Sequence, residues 1–178
     1  MADKNDLWVD NLQDALQQTQ RYIFAGTLSM ALFFLMDKEA PELLRSGDKI
    51  EVPHLGKVTP GIAAIVLFSA YFMFGLLANS AMRRIRKIAS KIHDEEVLSA
   101  VLTHFSIVTV ESKAIRIIAA LLAPALLTVG FFIEWYRGAN PSPLAIMVGL
   151  PLLSSPYLFL LYQLLKPIKK ETVKKETV

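Results

Sequence analysis

The stretch PGIAAIVLFSAYFMFGLLANSAMRRIRK, residues 60–87, decides the fold. Its first 23 residues, 60–82, carry no charged side chain, and they stop against the basic run Arg83-Arg84-Ile85-Arg86-Lys87. About 20 apolar residues of α-helix cross the roughly 30 Å hydrocarbon core of a bilayer. The stretch therefore predicts a transmembrane helix with its basic end anchored at one membrane surface. Residues 117–133 and 144–165 are likewise uncharged and predict two more spans. A fourth apolar run, residues 22–36, has only 15 uncharged positions. Arg21 and Lys38 flank it, and their long side chains reach toward the headgroups and lengthen the effective span.

Working outward, these runs predict an all-α, polytopic membrane protein with four transmembrane helices in two tandem hairpins. The spans fall at about 22–38, 60–82, 115–136 and 144–165, and an amphipathic N-terminal helix, residues 1–21, precedes them. A cytoplasmic connection, 83–114, joins the hairpins, and a mobile basic tail, 166–178, repeats Lys-Lys-Glu-Thr-Val twice. Composition agrees, since 53% hydrophobic residues with 20% charge is too apolar for a soluble domain unless the charge is confined to connections. Asp3, Asp6, Asp10 and Asp14 occupy the place of a basic signal-peptide n-region, so the first run is expected to stay in the protein.

Orientation follows from Lys and Arg. With four spans, residues 1–21, 83–116 and the tail share one side and hold 14 of the 19 basic residues. The positive-inside rule then places both termini and the central connection in the cytoplasm, most simply at a bacterial inner (plasma) membrane. A three-span version, with the first run on the surface, divides the charge almost evenly and is disfavoured.

Local patterns fill in the connections. Val9, Leu12, Leu16 and Ile23 recur at helical spacing, with Asp6, Asp10, Asp14, Gln17 and Gln18 on other faces. An interfacial helix lying against its own bundle is the expectation, with a continuous run into the first span as the alternative. In the outer loop, 37–59, Pro41, Gly47, Pro53, Gly56 and Pro60 act as breakers, and Ile50-Glu51-Val52 suggests a short extended piece. The second span is expected to continue to about His93. Asp94 then caps a new helix with Glu95 and Glu96 in its first turn and an apolar stripe of Leu98, Leu102 and Phe105. From Phe105 onward helix and strand both fit.

The candidate functional residues are few. Arg83, Arg84, Arg86, Lys87 and Lys91 form the expected contact with anionic headgroups or with a cytoplasmic protein partner. No aromatic residue interleaves them to stack bases, which argues against nucleic acid. Glu134, Asn79 and Ser155 are the candidate intramembrane polar site, with Ser154, Tyr162 and Gln163 able to hydrogen-bond between helices. Pro124, Pro151 and Pro156 predict kinks, with the freed carbonyls met by neighbouring hydroxyls. The pairs Ala25/Ser29, Gly75/Asn79, Ala119/Ala123 and Ala145/Gly149 predict close helix approach. Phe33, Phe34, Phe68, Phe72, Phe74, Phe131 and Phe132 are expected to face lipid or another subunit.

The chain has no cysteine and no phosphate-binding glycine loop, zinc-binding histidine pair or nucleophile turn, so no catalytic, cofactor or metal residue is assigned. The expected function is that of a non-enzymatic membrane accessory or scaffold protein, docking a cytoplasmic partner through the basic connection. The alternative is a homo-oligomeric pore or membrane-perturbing effector.

Overall fold

In the computed structural model, which describes residues 4–46, 50–52, 56–92, 94–103, 106, 108–110, 112–136, 145–166 and 168, the first apolar run is only the middle of a longer helix. Helix α1 (Lys4–Ser46) is continuous over 43 residues, about 65 Å at 1.5 Å per residue. The N-terminal stretch thus enters the apolar run without a break, and the expected separate interfacial helix is not formed. The sequence permits this because residues 4–36 contain no proline and a single glycine, Gly26. Nor does Pro41 end the helix, as expected of it; the strong helix formers Glu39, Ala40, Glu42, Leu43, Leu44 and Arg45 surround it.

Strands β1 (Ile50–Val52) and β2 (Gly56–Val58) pair antiparallel, with Ile50 opposite Val58 and Val52 opposite Gly56. The extended reading of Ile50-Glu51-Val52 holds. Helix α2 (Pro60–Ala89) opens on Pro60, whose missing N–H falls where helices have no partner for one, and the Thr59 carbonyl accepts the first helical bond from Ala63 N at 3.1 Å. At the other end Lys91 N and Ile92 N bond three residues back, at 2.9 and 3.3 Å, so the helix tightens and stops short of His93.

Asp94 caps α3 (Glu95–Thr103) as expected: its Oδ1 accepts from Glu96 N at 2.9 Å and from Val97 N at 3.2 Å. The buried stripe is Leu98 and Val101, with Leu102 half-buried; Phe105 lies outside the described residues. Thr109 N and Val110 N then both donate to the Ser106 carbonyl, at 3.0 and 2.8 Å. This makes a turn there, neither the helix nor the strand that the β-branched pattern left open. Helix α4 (Lys113–Tyr136) follows, and a π-helical turn, Ala145–Gly149, leads into α5 (Leu150–Leu165).

The prolines explain the last helix. In a regular α-turn the Met147 carbonyl would bond to the N–H that Pro151 lacks, and the wider π turn sits immediately before that proline. Pro156 likewise frees the Leu152 carbonyl, and Ser155 Oγ donates to it at 2.7 Å. A neighbouring hydroxyl repairs this backbone break, as the sequence predicts.

Helix α1 packs on α2, α2 on α5, α5 on α4 and α4 on α1, closing a ring, with α3 laid on α1. Lys91, two residues past α2, sits over Trp8 of α1, Arg86 of α2 reaches the Gln163 carbonyl at the C-terminus of α5, and Arg116 of α4 reaches the neighbouring Leu164 carbonyl. These contacts gather the start of α1, the end of α2, the start of α4 and the end of α5 at one basic end. Two antiparallel hairpins therefore lie side by side in the same sense, with α2 and α5 parallel neighbours. The link from α2 to α4 must cross the diagonal of the ring. A diagonal crossing needs more chain than a hairpin turn between neighbours.

Among the described residues three helices are long and apolar enough to cross a membrane, over Ile62–Ala89, Lys113–Ile133 and Ile146–Leu165, as expected of an integral membrane protein. One apolar core, from Leu12 and Leu16 through Tyr71 and Ile85 to Leu164, runs through these segments and beyond them into the basic end.

Candidate docking face and the interhelix polar seam

The last carbonyls of an α-helix have no intrahelical donor and carry the negative end of its dipole. In α5 two arginines meet that need. Arg86 Nη2 donates to the Gln163 carbonyl at 2.5 Å and to the Lys166 carbonyl at 3.2 Å, and Arg116 Nη1 donates to the Leu164 carbonyl at 2.8 Å. Helical phase selects Arg86 from its neighbours, because it stands one turn from the buried Met82 and near the buried Ala89. Of the five basic residues read as a lipid or partner contact, Arg86 is the one turned inward.

Arg83, Arg84 and Lys87 on the outer arc of α2, and Lys91 just past its end, are exposed. Lys91 Nζ lies 4.3 Å from the centre of the Trp8 ring, a cation–π contact that joins the tips of α1 and α2. Beneath this basic face is a packed platform. Leu12, Ala15 and Leu16 of α1, Ile88 and Ile92 at the end of α2, Leu98 and Val101 of α3, and Val108 are all buried in it. At its edge the Lys166 ammonium lies 4.1 Å from the centre of the Tyr162 ring.

Between α2 and α5 runs a polar seam. The Tyr71 and Tyr157 rings stack at 4.7 Å, and Tyr157 Oη donates to the Tyr71 carbonyl at 3.1 Å. Two glycines make room for Tyr157. A Cβ at Gly75 would stand 2.7 Å from Pro156 Cβ and 2.8 Å from Tyr157 Cε2, and one at Gly26 of α1 would overlap the Tyr157 hydroxyl. One turn further along, Asn79 Nδ2 donates to the carbonyls of Gly75 and Pro156, at 3.0 and 2.5 Å. Gln163 Nε2 donates to Asn79 Oδ1 at 3.4 Å. Tyr71 Oη, beside Ser154 but outside bonding geometry, and Gln163 Oε1 are buried without a hydrogen-bond partner among the described residues.

Of the candidate intramembrane residues, Asn79 is therefore interior and central to the seam. Ser155 is exposed and occupied with the Leu152 carbonyl, and the inward hydroxyl in that helix is Ser154. Glu134 is in α4, but its side chain lies outside those described. Gly75 and Asn79 form a true contact pair, and Ala123 is fully buried, whereas Gly149 faces open space. The expectation that the phenylalanines face outward holds for Phe132; Phe33 of α1 and Phe68 of α2 instead meet between their helices at 4.7 Å.

Gln163 bonds between helices as its sequence context predicts, whereas Gly26, Tyr157 and Arg116 carry no mark in the sequence. The signal that finds them is pairing across the ring, which no periodicity within one helix contains. Comparison with protein families, with curated proteins and with solved structures finds no match, so the functional reading rests on the geometry.

Proposed function

We propose that the chain is a four-span membrane scaffold, non-enzymatic, whose packed platform at the basic end docks a protein partner in the cytoplasm. The fourth span is supported by register. Tyr22 pairs with Phe74 and Phe33 with Phe68, with ring centres 6.3 and 4.7 Å apart, so the short apolar run of α1 lies beside the apolar run of α2 at the same depth. If α2 crosses the bilayer, residues 22–33 lie within it too. Phe24, Leu28 and Leu32 are then the outward apolar stripe of α1 at membrane depth, each of them exposed. Buried contact with α2 and α4 compensates for a run too short to be a span by hydropathy alone.

The observation that carries the docking role is the platform itself. A simple anchor needs no helix beyond the interface, yet α1 exceeds the roughly 30 Å core by a factor of about two. Its N-terminal half is packed against the end of α2 and against α3. Arg83, Arg84, Lys87 and Lys91 project from the structure so formed. By the positive-inside rule this end faces the cytoplasm. A pore within one copy is disfavoured by an interior filled with Met30, Tyr71, Tyr157 and Leu160, all at 0% exposure.

A photo-crosslinker placed at Lys87 in the intact membrane tests the docking. We expect a protein adduct that is lost when Arg83, Arg84 and Lys91 are changed to glutamine, and only lipid adducts from the same probe at Val129, exposed on α4. Lipid adducts alone at both positions would reduce the basic face to an anchor.

A further inference from the structure

The outer faces of α1 and α2 carry opposite charge at the same height. On α1, Asp6, Asp10 and Asp14 follow one another at four-residue spacing, all exposed; at the end of α2 and just past it, Arg84, Lys87 and Lys91 follow at spacings of three and four, also exposed, with Arg83 beside them. Three contacts fix the heights: Trp8 with Lys91, Tyr22 with Phe74 and Phe33 with Phe68. Because α1 and α2 run antiparallel at equal rise, Asp6 stands within about a turn of the level of Lys91, Asp10 of Lys87 and Asp14 of Arg84. Within one copy the stripes point away from the core, except that the Lys91 ammonium lies over the Trp8 ring. Among the described residues none of these seven charges forms an ion pair, and like charges three or four residues apart repel within each stripe.

We propose that a second copy of this chain docks here, the α1 acidic stripe of one protomer lying along the α2 basic stripe of the next. Copies in one membrane are related by rotation about its normal, and such a rotation preserves height. Charges level in one protomer therefore meet level across the interface. Below the charges the same two faces continue as Phe24, Leu28 and Leu32 on α1 and Leu77, Met73 and Val66 on α2, all exposed, so apolar surface meets apolar surface at matching depth. An anionic lipid surface complements the basic stripe but repels the acidic one, and so accounts for half of the pattern. The proposal rests on reading the basic α2 face as a docking surface and names its occupant.

The absence of cysteine makes the test clean. Two differently tagged chains, one with Asp10→Cys and one with Lys87→Cys, are co-expressed and treated in native membranes with a short bis-maleimide. The heterologous pair should bridge and neither variant should bridge with itself, because only α1 lying on α2 brings the two cysteines level. Asp10→Cys with Ser80→Cys, which is exposed but displaced along α2, should not bridge. Asp10→Lys alone and Lys87→Asp alone should each weaken association, and mixing the two chains should restore it. Like-with-like bridging at equal yield would overturn the proposal, and so would a chain that stays monomeric in lipid nanodiscs. If a monomeric chain still gives the Lys87 protein adduct, the second copy is excluded while the docking reading stands. If that adduct is absent as well, both fail.

Discussion

Gly75→Ala adds one methyl group where α2 meets α5. Its carbon would stand 2.7 Å from Pro156 Cβ and 2.8 Å from Tyr157 Cε2, against about 3.5 to 4.0 Å for an unstrained carbon contact. Roughly an ångström has to be found. Pro156 cannot supply it by rotation, since its ring is fused to the backbone of α5. Tyr157 cannot supply it either, being held by its stack on Tyr71 and by Gly26 behind its hydroxyl. Helix α5 must move, and the 2.5 Å bond from Asn79 to the Pro156 carbonyl stretches with it. Overpacking costs about 1 to 3 kcal/mol, and the weakened bond costs about 1 more. The gain in helix propensity from glycine to alanine offsets about 1 kcal/mol. A net loss of about 1 to 3 kcal/mol is expected. Gly149→Ala is the control, because nothing lies within 4 Å of the added carbon, and there the propensity gain should leave stability unchanged or slightly raised. Unfolding by titration with sodium dodecyl sulfate in mixed micelles, followed by circular dichroism, reads both. A Gly75→Ala protein as stable as the parent, or a Gly149→Ala protein that loses as much, would refute the packing of this seam.

Other variants probe separate parts of the structure. Tyr71→Phe removes a buried hydroxyl that has no hydrogen-bond partner among the described residues and should be neutral or stabilising in the same titration, while Tyr157→Phe loses a bond to the Tyr71 carbonyl worth about 1 kcal/mol. Arg86→Gln and Arg116→Gln each remove a charge-assisted cap from α5 and should cost about 1.5 to 3 kcal/mol; Arg83→Gln, on the exposed arc, should cost almost nothing. Ala123→Leu, at a site with 0% exposure, should destabilise the bundle by about 1 to 3 kcal/mol, whereas Phe132→Leu on the outer face of α4 should be tolerated. Lys91→Gln, in a Trp135→Phe background, should change the fluorescence of Trp8, since the ammonium over its ring is removed; an unchanged emission spectrum would separate the tips of α1 and α2.

What the sequence shows directly is what depends on neighbours in the chain. Hydropathy marks the three long spans because burial in lipid depends on each segment's own composition, and Asp94 announces its helix because a cap acts over three residues. Prolines 151 and 156 flag the irregular start of α5 and its hydroxyl repair for the same reason. Pairing between distant residues is not visible in this way. Gly26 matters only because Tyr157 enters from the far side of the ring, and Arg86 differs from Arg84 only in the phase that aims it at the end of α5. The length of the 83–114 connection is plain in the sequence, but the diagonal it crosses between α2 and α4 exists only once the hairpins are placed side by side. The basic cluster was legible as a group, and its division into one inward cap and four outward charges was not.

The central claim is that α1 crosses the membrane beside α2, and single-cysteine labelling tests it most directly. In a chain that has no cysteine of its own, Asp6→Cys, Ser99→Cys and Thr59→Cys place probes at exposed positions on the start of α1, on α3 and just before α2. With a membrane-impermeant maleimide on intact cells, four spans predict that Thr59→Cys is labelled from outside, while Asp6→Cys and Ser99→Cys react only after permeabilisation. Labelling of Asp6→Cys together with Thr59→Cys from the same side would place α1 on the membrane surface and contradict the account.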